Sequence, residues 1–333
     1  MIGGALERAG ILTLLERIFG TGGVIAYHGV TTEPFLESVH ITAQTLATQL
    51  AFLAERYQVI PLREFLARRQ AGRSLRGCVA VTFDDAYAGI ADRALPTLTR
   101  YHIPATVFVA TSFARGGGRY WWDRLAWIGA RTDDATRHAT LVRVTGAPHG
   151  SPAETLRAMI ARGGRLSGDA EQALCAAECA CGPVPERALT EAELVALARS
   201  DLIEFGCHSE SHPVLPLLSE LEQRREITES YRWLAERLPR VRPLLAYPYG
   251  LYDRRTVAAA RAAGMEGAFS IEGRAAGSRF DRYACPRIGI AEVNNVRGLR
   301  LRLNWSTIPL VAWRNGGWHP RLSGDATGAI GHP

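Results

Sequence analysis

The sequence predicts an α/β fold, a distorted (β/α) barrel of about seven strands with outer helices, and three observations point to it. Seven short, β-rich apolar runs recur along the chain, longer segments of helical periodicity separate them, and residues able to do chemistry stand where runs end. In a β/α barrel the active site is built from loops at the carboxyl ends of the strands. An open doubly wound sheet accounts for the same alternation, so both architectures stand at this point.

In chain order, Leu6 to Phe19 comes first, with Leu6, Ile11, Leu14, Leu15 and Ile18 at helical spacing. Residues 1–23 therefore predict an N-terminal amphipathic helix, either packed on the domain or in peripheral contact with a membrane surface. Glu7, Arg8, Glu16 and Arg17 interrupt its apolar residues, so it does not read as a secretory signal, and no apolar run reaches transmembrane length. The expected location is cytoplasmic, with peripheral contact at the inner membrane face only under the second of those two readings of the helix.

The strand runs are Val24 to Tyr27, Cys78 to Phe83, Thr106 to Ala110, Ile203 to Cys207, Leu244 to Tyr247, Gly267 to Ser270 and Arg287 to Ile290. Helix starts are marked by Thr190 followed by Glu193 and by Ser219 followed by Glu222, the capping-box pattern that satisfies free backbone donors. Asp253 caps a further helix running to Ala263, with Gly264 as its stop. Residues 115–188 differ: three glycines at 116–118, two helical patterns, the Gly163-Gly164 break and a cysteine cluster mark an insertion between two barrel strands. The main domain is thus 24–310, followed by a C-terminal tail, 311–333, whose end is Gly-rich and lacks an apolar pattern.

Composition is that of a globular protein. With 333 residues, 47% apolar and 22% charged, the chain buries a sizeable core. Its formal charge of +6 comes entirely from arginine, because the sequence has no lysine. That excess favours approach to anionic glycans or lipid headgroups, while the absence of a basic-aromatic stripe argues against nucleic acid. The six cysteines include no CxxC pair, so Cys175, Cys179 and Cys181 read as reduced thiols rather than a zinc knuckle or disulfide staple.

Three motifs carry chemistry. Val79 to Phe83 ends in Asp84-Asp85, two carboxylates that repel each other unless a cation is present; one is able to bind metal while the other accepts a proton. His208 and His212, four apart after another strand, converge on one ion if Ser209-Glu210-Ser211 makes a tight turn. Together with the carboxylates they supply two imidazoles and one oxygen ligand, the donor set of a catalytic metal centre with open positions. The Tyr247-Pro248-Tyr249-Gly250 turn is rigid and is suited to holding a backbone N–H toward a developing oxyanion.

On these residues the chain resembles the polysaccharide deacetylase superfamily, the NodB homology domain of carbohydrate esterase family four. Thr82-Phe83-Asp84-Asp85, the His208 to His212 segment and the Tyr247 to Gly250 turn match its motifs in order and spacing. Tyr27 to Val30, the helix from Gln44 to Arg56, Tyr120 to Asp123 and Pro286 to Ile288 extend the likeness over roughly residues 24 to 291. The resemblance implies a NodB-type barrel and a metal-dependent hydrolase acting on an acetylated glycan. It implies that Asp85, His208 and His212 bind the metal, that Asp84 is the general base and that the Tyr249 N–H stabilises the oxyanion. Two nitrogens and a carboxylate suit zinc, with cobalt, nickel, manganese or iron able to take the same place.

The chain departs from the pattern twice. The arginine that many relatives carry before the proline turn is replaced by Ala246-Tyr247, and Arg287 is the substitute we expect. The late Leu-x-His of relatives is also absent, His319 and His332 lying in other contexts. His28 resembles the histidine of an exopolysaccharide-deacetylase subgroup with permuted motifs, and is expected to be the general acid, with His40 as fallback. Trp121, Trp122 and Tyr247 are the expected substrate-binding aromatics, with core packing an equal alternative for one of the two tryptophans, and Asp123 is a candidate to orient Arg287 or another group that lines the centre. Removal of N-acetyl groups is the leading function. O-acetyl ester or small-amide hydrolysis on the same centre, or silent glycan binding, are the alternatives.

Overall fold

The structure is a computed structural model that describes residues 22–145, 152–271 and 281–305. The expected N-terminal amphipathic helix, its membrane contact and the C-terminal tail with His319 and His332 lie outside the described residues. Among those described, no helix is long and apolar enough to cross a membrane.

Ten strands are described: β1 Gly23–Tyr27, β2 Gly29–Thr31, β3 His40–Thr42, β4 Gln58–Val59, β5 Cys78–Phe83, β6 Ala105–Val109, β7 Ile203–Cys207, β8 Val241–Ala246, β9 Gly267–Ile271 and β10 Cys285–Gly289. Seven of them form a closed parallel ring in the order β1, β10, β9, β8, β7, β6, β5. Closure is made by β1, which pairs with β5 from Gly23↔Val79 to Tyr27↔Phe83 and with β10 at Ile25↔Ile288 and Ala26↔Gly289. That pairing excludes the open sheet. The seven ring strands are the seven expected runs, with ends shifted by up to three residues. The three strands outside that set are only two or three residues long: β4 extends the start of β5, and β2 pairs with β3 in a small separate sheet.

Side chains alternate between the two faces of each ring strand. One parity fills the interior: Val24, Ala80, Phe108, Leu244, Ala246, Phe269 and Cys285 form one cluster, which Leu62, Phe65 and Leu66 of the helix Leu62–Gln70 close at the amino end. The other parity, including Ile25, Val79, Val81, Val107 and Phe205, packs under the outer helices. Gly206 has no room for a side chain, since a Cβ there meets the Phe108 ring at 2.5 Å. Continued to the carboxyl ends, the inward parity carries His28, Asp84, His208 and Arg287, so strand register alone gathers four of the expected residues.

The outer helices start as their capping residues require. Complete capping boxes occur at Thr190, Ser219 and Asp253, opening the helices Glu191–Leu197, Glu220–Arg237 and Arg254–Ala262. Gly264, at φ 78°, follows the last of these as its stop. Between β6 and β7 the chain leaves the ring and forms four longer helices, Trp121–Arg131, Asp134–Thr145, Pro152–Ala161 and Gly168–Cys181, where two helical patterns were expected. Breaks near Thr132 and Gly163-Gly164 divide what reads as longer periodicity. Trp121, Leu125, Ile128, Val144, Met159 and Leu174 give these helices an apolar cluster of their own, and Arg124 ties two of them together through Glu171 and Glu178 at 2.5 and 2.8 Å. All six cysteines are free.

Candidate active site

Asp84 follows β5 and is fully buried, yet it is well served. Arg287 donates two hydrogen bonds to its oxygens, Nη1 to Oδ1 at 2.6 Å and Nη2 to Oδ2 at 2.7 Å. The guanidinium is itself fixed by the Ser270 carbonyl and the Thr82 hydroxyl and lies over the Phe108 ring. Burial on its own raises the Asp84 carboxyl, but the charge and hydrogen bonds of Arg287, with His208 adding to them, hold it well below the usual carboxylate range. His28 ends the first ring strand beside it, Nε2 being 3.9 Å from Asp84 Oδ2, with 20% of its side chain exposed. Burial pushes its imidazole down to about 4, with the Asp84 charge pulling the other way.

Asp85 turns the opposite way from its neighbour because the backbone enters the left-handed region at φ 65°. Its Oδ1 lies 3.5 Å from His208 Nε2 and 3.4 Å from His212 Nε2, and one ligand atom from each of the three lies within 4.8 Å of the others. His208 donates from Nδ1 to the Ala246 carbonyl at 2.8 Å; a carbonyl only accepts, so Nε2 keeps its lone pair for the centre. Burial pushes His208 below its ordinary value, and burial together with the nearness of His208 pushes His212 well below, a direction that favours the neutral imidazoles metal ligation needs. Burial and the Asp84 charge push Asp85 well above the usual carboxylate range, and its Oδ1 has no hydrogen-bond partner. A buried carboxylate oxygen facing two neutral imidazoles is a mismatch that a divalent cation removes, so the three residues fit a metal.

The loop bearing His212 is held by a residue that the sequence reading missed. Glu226, on the helix Glu220–Arg237, accepts from the N–H groups of Glu210 and Ser211 and from the Ser211 hydroxyl, at 2.9, 2.8 and 2.6 Å. Arg165 bridges the same carboxylate and hydroxyl, and the His212 N–H donates to the Ser209 hydroxyl. Ser209 and His212 both have positive φ, 65° and 54°, which such anchoring holds in place. Glu226→Ala is expected to leave the fold intact and to weaken zinc binding by about 10-fold, read by competition against a chelator. The signal was present in the sequence: Glu226 falls on the same helical stripe as Gln223, Ile227 and Ser230, a face that reads as buried.

The aromatic wall differs from expectation. Trp122 is partly exposed and its ring lies 5.0 Å from that of His212 and 6.1 Å from that of Tyr249, with Tyr120 stacked on it at 4.6 Å. Trp121 is buried in the helical cluster and donates to the Gly164 carbonyl, so it is a packing residue, not a sugar contact. Tyr247 is also buried, its hydroxyl spent on the Tyr283 carbonyl at 2.8 Å, and is likewise corrected to a structural role. Tyr249, at φ 58°, turns its ring toward His212 at 4.6 Å, and Gly164 must be glycine there, because a Cβ meets the Tyr249 hydroxyl at 2.6 Å. Asp123 does not reach Arg287; it binds His40 and Tyr87, which also places the fallback histidine away from Asp84. Tyr120, whose hydroxyl donates to the Asp85 carbonyl at 2.7 Å, is a further support that the sequence reading left unassigned.

Comparisons with known proteins agree with this fold. A family model described as polysaccharide deacetylase matches residues 71–268. The poly-β-1,6-N-acetyl-D-glucosamine N-deacetylase of Staphylococcus epidermidis is 22% identical over 254 residues, which cover 76% of this chain and 68% of that one. In fold the chain is similar to IcaB from Ammonifex degensii, with a TM-score of 0.55 and 19% identity over 86% of this chain and 97% of that one. It is similar also to the Streptococcus pyogenes deacetylase PplD, solved with acetate, with a TM-score of 0.54 and 17% identity over 85% and 98%. The match over residues 71–268 spans more than half of the sequence and takes in the paired aspartates, His208 and His212: the chain belongs to the polysaccharide deacetylase family.

Proposed function

We propose that this protein is a metal-dependent hydrolase that removes N-acetyl groups from the amino sugars of a polysaccharide, oligosaccharide or lipid-linked glycan. The observation that carries this reading is a division between neighbours: Asp85 faces His208 and His212, while Asp84 is turned away onto Arg287. A protein that only binds glycan has no use for a second, ionised carboxylate buried beside a metal cluster.

In this reading Asp85, His208 and His212 hold the cation, and the two-imidazole, one-carboxylate set favours zinc. The cation supplies positive charge that polarises the acetamide carbonyl and acidifies water. Asp84, kept ionised by Arg287, takes the proton of the attacking water. The backbone N–H of Tyr249, in its left-handed turn, would donate to the oxygen on which charge develops. Neutral His28, 3.9 Å from Asp84, relays that proton to the nitrogen as the C–N bond breaks; the water's other proton stays with the acid, and the acetic acid and amine then exchange it, so that acetate and an ammonium sugar leave. Trp122 and the Tyr249 ring wall the substrate.

The test is acetate release from matched β-1,6-linked pentasaccharides, one N-acetylated and one O-acetylated, by protein stripped of metal and then given one equivalent of zinc. Release from the N-acetylated pentasaccharide, lost on stripping and restored by zinc, is expected. Zinc-dependent release from the O-acetylated one alone makes the protein an esterase, and binding without release from either ends the hydrolase reading.

A further inference from the structure

Tyr87, Asp123 and His40 lie outside the chemistry just described, are fully buried, and are joined in one line that ends on Trp122. The Trp122 Nε1–H donates to the Tyr87 hydroxyl at 2.9 Å, that hydroxyl donates to Asp123 Oδ2 at 2.7 Å, and His40 Nε2 donates to Asp123 Oδ1 at 2.8 Å. Each direction is forced. An indole N–H only donates and a carboxylate only accepts, so the Tyr87 hydroxyl has one arrangement that serves both neighbours. Reversing any link strands a buried polar atom, which makes the chain stiff.

The line joins three parts of the fold. Tyr87 stands three residues beyond Asp84, Trp122 and Asp123 open the helix Trp121–Arg131, and His40 begins β3. His40 also presses on the backbone next to His28, for its ring fills the place where a side chain at Gly29 would go. Apolar residues pack such a junction at lower cost than an aspartate, a tyrosine and a histidine do, so a buried polar line needs a reason. Its one partly exposed end supplies that reason: the Trp122 indole beside His212 and Tyr249, an aromatic face suited to the C–H surface of a pyranose ring.

We infer that Tyr87, Asp123 and His40 are positioning residues that lock the Trp122 indole as the wall on which a pyranose unit of the glycan stacks, and so set affinity rather than the rate of the chemical step. The inference rests on the proposed deacetylase reading for its substrate and on the hydrogen-bond line for its mechanism. Tyr87→Phe keeps the ring and removes the hydroxyl. It is expected to raise KM for the N-acetylated pentasaccharide about 5–10-fold, the worth of one aromatic contact, with kcat within about twofold and zinc stoichiometry unchanged. Trp122→Phe is expected to raise KM similarly, and the double variant no further, because the hydroxyl acts through the indole. In proton NMR, the Trp122 Nε1–H, assigned by its loss in Trp122→Phe, is expected to be protected from exchange in the parent protein and exposed in Tyr87→Phe.

Additive effects in the double variant, an unchanged KM in either single variant, or an indole proton indifferent to Tyr87 would overturn the inference. If Tyr87→Phe does not fold, Asp123→Asn, which keeps the volume but offers Tyr87 an uncharged acceptor, is expected to give a smaller KM rise of the same sign, and no rise overturns it. If the parent protein releases no acetate, the deacetylase reading fails alone. Pentasaccharide Kd then replaces KM in the same comparisons, and the exchange measurement stands without any turnover.

Discussion

Arg287→Met is expected to cost the folded protein about 3–5 kcal/mol, the usual effect of removing one partner from a buried ion pair, and to leave little deacetylase activity. Asp84 is fully buried, and the two short bonds from Arg287 are what let it stay ionised there. Methionine fills much of the volume and removes the charge, so the loss reads the charge and not a cavity. Removing both charges together, in Asp84→Asn/Arg287→Met, is expected to recover most of the stability and none of the activity. Denaturant midpoints of the four proteins give the coupling directly. A single variant as stable as the parent would show that Asp84 does not depend on the guanidinium.

Asp84→Asn is expected to lower kcat for the N-acetylated pentasaccharide by roughly 10²–10⁴-fold, the range that one positioned general base supplies. Zinc affinity should hold, because Asp85, His208 and His212 face each other independently of Asp84. The two readouts separate the neighbours: calorimetric zinc titration reports the ligand set, and acetate release reports the base. Loss of zinc binding in this variant would mean that the two aspartates share the metal, and the division of labour would have to be redrawn. An amide also serves Arg287 poorly, so some loss of stability accompanies the loss of rate.

The ring was legible because each of its strands is a run of apolar residues long enough to show alternation, and because the runs end in residues with chemistry. β2, β3 and β4 were not, since two or three residues carry no period. Asp84, Asp85, His208 and His212 converge because they occupy equivalent places at strand ends, which the sequence displays once the strands are drawn. Arg287 was found by a gap: a guanidinium was missing beside Tyr247, and the inward parity of β10 puts one on Asp84. Tyr247 was misjudged, and Trp121 left open between cleft and core, for the converse reason. An aromatic beside an active motif faces either the cleft or the core, and one turn of helix or one step of strand decides which. Asp123 shows the same limit, since its partners, His40 and Tyr87, are 83 and 36 residues away in sequence.

Ring closure by the first and last strands also imposes an order on the birth of the molecule. Asp84 and Arg287 are 203 residues apart, which at ribosomal speeds separates their synthesis by roughly 10–40 s. Throughout that interval the nascent chain holds Asp84 and, later, both histidines, yet lacks the guanidinium that makes a buried carboxylate tolerable. The barrel interior therefore cannot be sealed around Asp84 until β10 emerges and docks against β1. A nascent chain halted short of the last strand of the ring is expected to hold most of the site's residues and none of its activity.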